Sequence, residues 1–302
     1  MTNGISRGTA EMVAAMLVSG TIGWFVVMSG QPVLSVVFWR CLFGALTLLL
    51  VCGALGLVNR RAVSARVMAL AAFGGVTIVL NWLLLFKAYA LTSISVATIV
   101  CNTQPFMLLA LGRVFLGDRI TANKIVWLSL SFLGMILIVL VPGARSAGQG
   151  AYLTGIAFSL SAAFLYAAAS LVTKQLKGTP PHLIALVQVT TGIIMLAPLA
   201  DFFALPHDAN AWAMLVTLGV AHTGLMYCLL YGAIQRLPTH ITGALSFIYP
   251  AAAVGVDMIA FGDILRPLQI AGALLILLAA AGMTLSLRIM SRRGRALVQP
   301  AD

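Results

Sequence analysis

Long apolar stretches alternate with short polar ones along this chain. The apolar stretches run over roughly 10–30, 33–58, 66–90, 93–116, 123–142, 151–174, 182–203, 210–235, 239–261 and 267–288. Each holds about 20 or more mostly apolar residues, enough at ~1.5 Å per residue to cross ~30 Å of hydrocarbon. The pattern predicts an all-α integral membrane protein with ten transmembrane helices. The narrowest division falls at Leu91-Thr92-Ser93. Without it the third and fourth stretches would fuse into a run of about 50 residues, more than one helix can use in a bilayer. The first stretch reads as a retained helix. Its apolar length exceeds the ~7–15 residues of a signal core, and no small-residue cleavage signal stands out.

The pattern is also written twice. Residues 86–121 and 231–266 align at a constant offset of 145, which sets Ala88 on Ala233, Pro105 on Pro250, Gly117 on Gly262 and Asp118 on Asp263. Each copy sits in a half with five apolar stretches, 1–146 and 147–302. An odd number of spans per half forces the second half to insert upside down. The expected architecture is two inverted five-helix repeats around a central cavity, a plan common among secondary transporters.

Polar residues inside the spans recur at helical spacing. Thr77 and Asn81 stand at i and i+4, as do their repeat partners His222 and Met226. Ser159, Ala163, Tyr166 and Ser170 form one stripe; Thr242, Ser246 and Tyr249 form another; Asn102 and Gln104 precede Pro105. Lipid-facing polar groups are costly, so these stripes should face the bundle interior. Ser and Thr there serve close helix packing as readily as a cavity. Asn81, Asn102, His222 and Tyr249 are larger and costlier to hide, so lining a cavity and satisfying a core stand as equal readings. Trp24 lies well inside its span, away from any interfacial belt. A cavity wall and a packed core both suit it. Pro105 and Pro250 remove a helical hydrogen bond at matched positions and are candidate hinges. Asp118 and Asp263, each after a Gly, read as groups that cap or approach a helix N-terminus.

Composition narrows the solvent. The chain is 61% hydrophobic and 8% charged over 302 residues. Soluble domains carry roughly 25% charged residues, so too little charge is present to cover a water-facing surface. Of the 18 Lys and Arg residues, Lys87, Arg145 and Arg266 fall outside when the N-terminus is cytoplasmic, and Arg40 lies within a span. The rest fall on inner loops and tails, so the positive-inside rule puts both termini in the cytoplasm. The net charge of +11 is then an orientation signal. Its scatter over loops and tails speaks against a nucleic-acid partner; the Arg-rich tail 288–295 suits anionic headgroups or plain anchoring.

Arg40 is the most informative charge. A central Arg costs about 2.5–3.5 kcal/mol on insertion scales, so it needs a carboxylate, helix carbonyls, water or a substrate anion. Asp257 is the acid well inside a span and a candidate partner. Substrate capture and headgroup snorkelling are the other readings. Cys41, Cys52, Cys101 and Cys228 lie in spans with no C-x-x-C, and the four His are scattered. Neither a metal nor a cofactor is expected. There is no nucleotide-binding loop.

The run Pro105…Gly117-Asp118…Gly134, repeated as Pro250…Gly262-Asp263…Gly282, resembles the EamA repeat of the drug/metabolite transporter superfamily. Trp24 and Arg40 also resemble that pattern. The likeness covers nearly the whole chain, with Asp where the family commonly has Glu. It implies a ten-helix bundle with a central cavity, in the cytoplasmic (inner) membrane, exporting or exchanging small metabolites. YddG-type amino-acid exporters are a prominent group of that superfamily. With Trp24, Arg40, Asn81, Asn102, Tyr166, His222, Ser246 and Tyr249 as cavity candidates, amino acids, aromatic ones included, are the expected substrates, moved by alternating access. Drugs, nucleosides or other metabolites form the alternative. A membrane-embedded lipid enzyme would need paired acids, a His cluster or a metal site. A receptor would need an extramembrane domain. Protons as a coupling ion stay open, with His222 the titratable candidate near the midplane.

Overall fold

The computed structural model describes residues 2–57, 64–92, 94–139, 149–200, 205–206, 208–261 and 267–284. Among these the chain is helical and contains no strand. The helices are α1 (Thr2–Ser19), α2 (Ile22–Met28), α3 (Val33–Ala54), α4 (Ala65–Leu91), α5 (Ile94–Cys101), α6 (Gln104–Leu116) and α7 (Ala122–Val139). They are followed by α8 (Gln149–Gln175), α9 (Pro181–Leu196), α10 (Ala209–Gly219), α11 (Met226–Arg236), α12 (Thr239–Ser246), α13 (Ile248–Phe261) and α14 (Pro267–Thr284). A 3₁₀ turn, Ala197–Leu199, extends α9, and a π-helical turn, Val220–Leu225, joins α10 to α11.

Among the described residues, six helical runs are long and apolar enough to cross a membrane: Gly4–Met28, Val33–Ala54, Ala65–Leu91, Tyr152–Gln175, Pro181–Leu199 and Ala209–Arg236. The remaining expected spans are represented by α5 with α6, α7, α12 with α13, and α14, which are shorter pieces. Large apolar side chains such as Leu50, Phe73, Ile194 and Leu278 stand exposed on the outside of the bundle. Such a surface is a liability in water and ordinary in lipid.

The offset of 145 carries helix onto helix. It takes α5 to 239–246, the bounds of α12, and α7 to 267–284, the bounds of α14. It takes α4 to 210–236, the stretch of α10, the π turn and α11.

The interior is where the helices cross. The α4 helix packs on α8 and α9, α3 on α9, α1 on α11, and α7 on α14. Glycine permits the closest crossings. A Cβ on Gly75 would meet the Gln188 carbonyl oxygen at 2.8 Å, and one on Gly192 would meet Cys41 Sγ at 2.7 Å.

Both proline positions differ from an interior kink. The α5 helix ends at Cys101 and α12 at Ser246, each four residues before its proline. Proline has no N–H to donate to the carbonyl four residues back. The helix therefore stops at that carbonyl and restarts, with Pro105 and Pro250 in the first turn of α6 and α13, where proline is tolerated. Gly262, Asp263 and Arg266 lie outside the described residues, as does the side chain of Asp257.

Candidate functional site

The two broken helices meet. Gly243 of α12 faces Pro105 of α6, with a Cβ position only 3.1 Å from the proline Cβ. Beside them, Gln104 Nε2 donates to Ser246 Oγ at 3.1 Å. At their far ends the Thr239 hydroxyl donates to Asp118. Gly117 allows that approach: it ends α6 at φ 70°, in the left-handed region, and turns Asp118 back along the helix. Asp118 thus meets the N-terminus of α12, in the other half of the chain, rather than that of α7.

A cavity of about 100 Å³ lies at this crossing. Arg40, Asn81, Asn102, Tyr166, Ser246 and Tyr249 line it together with Gln104, Trp82, Tyr89 and Tyr227. Apart from Ser19, its remaining walls are apolar, among them Met16, Ile22, Phe86 and Leu230. Asn81 and Asn102 are tied at one end: Asn81 Nδ2 donates to the Ala162 carbonyl and Asn102 Nδ2 to the Thr98 carbonyl, both at 2.7 Å.

Arg40 is 1% exposed. Its Nε donates to Thr223 Oγ1 at 2.7 Å and its Nη2 to the His222 carbonyl at 3.3 Å. Its guanidinium lies over the Trp82 ring, 4.2 Å from the centroid. Trp82 is itself fixed by donating from Nε1 to the Tyr227 hydroxyl at 3.1 Å. The π turn creates this seat. The Met226 N–H donates to the Ala221 carbonyl, five residues back. It therefore does not take the His222 carbonyl, its α-helical acceptor, and Arg40 does. The π turn is also a common mark of functional sites. Among the described side chains no carboxylate stands within ion-pair distance of Arg40.

Two sequence candidates sit elsewhere. His222 is buried behind Arg40 and off the cavity wall. Its Nε2 lies 2.5 Å from Thr21 Oγ1 and its Nδ1 3.2 Å from the Thr217 carbonyl. Trp24 lies on α2, partly exposed, edge-on to Phe25 and also off the cavity wall. Trp82 and Tyr227 escaped the polar-stripe argument because their polar atoms ride on rings that read as apolar filler. They are 145 apart, the repeat offset, and that was the signal available.

A family model for the EamA-like transporter family matches residues 7–140 and again 153–285. The chain belongs to the EamA-like transporter family. It is a multi-pass membrane protein. A protein of Bacillus subtilis (strain 168), named as the uncharacterized transporter YxxF, is 31% identical over 97% of this chain and 93% of its own length. An uncharacterized transporter of Archaeoglobus fulgidus is 28% identical over 89% of this chain and 93% of its own. A probable amino-acid metabolite efflux pump of Salmonella typhimurium is 23% identical over 60% of this chain and 64% of its own. A crystal structure superposes with a TM-score of 0.79 at 16% identity, covering 92% of this chain and 98% of that one. It shares the fold.

Proposed function

We propose that this chain exports or exchanges amino acids, aromatic ones included, by alternating access. In this reading it is built of ten spans, as repeats 1–146 and 147–302 inserted in opposite senses. It sits in the cytoplasmic (inner) membrane with both termini inside. The observation that carries the reading is the cavity at the crossing of two helices broken at matched positions, 101–104 and 246–248. Discontinuous helices at a repeat interface are where transporters of this plan hold their substrates. The walls support an amino acid: one buried cation, a few neutral polar ends and a majority of apolar and aromatic surface. The name of the Salmonella relative agrees with that class.

Rocking needs one end of the cavity to close while the other opens. At the end where α1 begins, Arg236 Nη1 of α11 bonds Glu11 Oε2 of α1 at 2.5 Å, and Arg7 Nε bonds Glu11 Oε1 at 2.9 Å. This clasp lies about 12 Å from Ser19 on the cavity wall, eight residues along α1. In the proposed orientation it is the cytoplasmic gate. Proton coupling through His222 is disfavoured, because both ring nitrogens have neutral protein partners away from the cavity.

The test is counterflow in liposomes holding purified protein and preloaded with mixed amino acids. Labelled aromatic, aliphatic and basic amino acids are followed, with and without an imposed pH gradient. Accumulation of some labels, unaffected by the gradient, is expected. No accumulation from folded protein sinks the amino-acid reading and turns the search to drugs, nucleosides and other metabolites. Acceleration by the gradient that disappears in His222→Gln restores proton coupling.

A further inference from the structure

We infer that Arg40 and Gln104 are the two poles of a site for a small zwitterion, an α-amino acid with a short neutral side chain. The inference rests on the transport reading and narrows it. Arg40 supplies the cationic pole. A guanidinium has five N–H donors, and those with protein acceptors here are on Nε and Nη2. The acids whose side chains are described are engaged elsewhere. Glu11 is held by Arg7 and Arg236, Asp118 by Thr239, and Asp208 by the Asn210 N–H. A buried guanidinium with spare donors on a cavity wall is matched to a carboxylate, which it grips through paired hydrogen bonds.

Gln104 supplies the opposite pole, and its orientation is fixed by counting hydrogens. The Ser246 hydroxyl has one hydrogen, and it goes to the Gly243 carbonyl at 2.7 Å. Its oxygen must therefore accept from Gln104 Nε2. That leaves Gln104 Oε1 buried with no partner, on a residue of the cavity wall. An unmet buried acceptor is costly, and an ammonium group meets it. The spare donors of Arg40 and the spare acceptor of Gln104 thus belong to side chains of one cavity wall. Its size selects further. A cavity of ~150 Å³ accepts benzene, and this one holds about 100 Å³. That volume favours an alanine-sized ligand over an aromatic one. An ordered water on Gln104 is the competing occupant.

The experiment measures thermal stabilisation of the purified full chain by L-alanine, L-alaninamide, which lacks the carboxylate, and propionate, which lacks the ammonium. Alanine should bind at least about tenfold more tightly than either analogue, since each charged hydrogen bond is worth roughly that factor. In Gln104→Met, alanine should weaken about tenfold while propionate holds its affinity. In Arg40→Gln, alanine should lose its advantage over alaninamide. If that variant does not fold, the wild-type series still decides. Alaninamide binding as tightly as alanine overturns the proposal, as does a Gln104→Met protein in which propionate falls with alanine. Binding of none of the three, with counterflow of bulkier amino acids intact, overturns this inference and leaves transport standing. Loss of all counterflow overturns both.

Discussion

Arg40 shows how neutral groups hold a charge inside a membrane protein. The sequence states the problem, an Arg well inside a span, and offers Asp257 as the acid to answer it. The side chain of Asp257 lies outside the described residues, and the partners the structure does show are neutral groups that sequence alone does not mark. These are the Thr223 hydroxyl, the His222 carbonyl freed by a π turn, and the face of Trp82. None is visible to periodicity, which marks apolar faces and not backbone acceptors or ring faces. The Thr223 hydroxyl accepts from Arg40 and passes its own hydrogen to the Leu218 carbonyl at 2.9 Å. Thr223→Val keeps the shape and removes the acceptor, leaving a buried charged N–H unmet. The expected loss is about 1–3 kcal/mol, read as a lower Tm in detergent. Thr223→Ser should retain most of the stability. Equal Tm values for Val and Thr would mean that Arg40 is not held through this hydroxyl.

At the scale of elements, the apolar pattern placed the helices and missed their interruptions. The stretch 93–116 reads as one span, yet it is α5 and α6, and 239–261 is α12 and α13. The prolines marked the places. What the residues did not disclose is that each helix would stop at the undonated carbonyl, Cys101 or Ser246, instead of bending through it. A bent helix and a broken one have the same composition; neighbours decide between them, here Gly243 against Pro105. If these breaks are the joints of the transport cycle, restoring the missing donors should stiffen them. The double variant Pro105→Ala, Pro250→Ala regains two N–H groups and better helix formers. Its counterflow rate should fall severalfold with no loss of Tm. An unchanged rate would make the breaks static features of the fold.

At the scale of the molecule, the doubling legible at Pro105 and Pro250 extends to whole elements, with α5 on α12 and α7 on α14 at the same offset. The cavity was less legible. The polar stripes pointed to Asn81 and Tyr249 on its wall but also to His222 off it; Arg40, singled out by its charge, lines it, and Trp24, singled out by its depth, does not. A stripe says which face of a helix turns inward, not whether it meets a void or another helix. The clasp of Glu11 with Arg236 was not legible at all, since those residues are 225 apart. Glu11, only 14% exposed, pairs with both Arg7 and Arg236 and so ties α1 to α11 at one end of the cavity.

The central claim is that α1 and α11 must part for solute to cross. The direct test is a double variant, Glu11→Cys with Arg236→Cys, bridged by a short cleavable thiol cross-linker in liposomes. The native cysteines are replaced by Ala or Ser. Counterflow should stop when the bridge forms and return when it is cleaved. Full counterflow through quantitatively bridged protein would contradict the account.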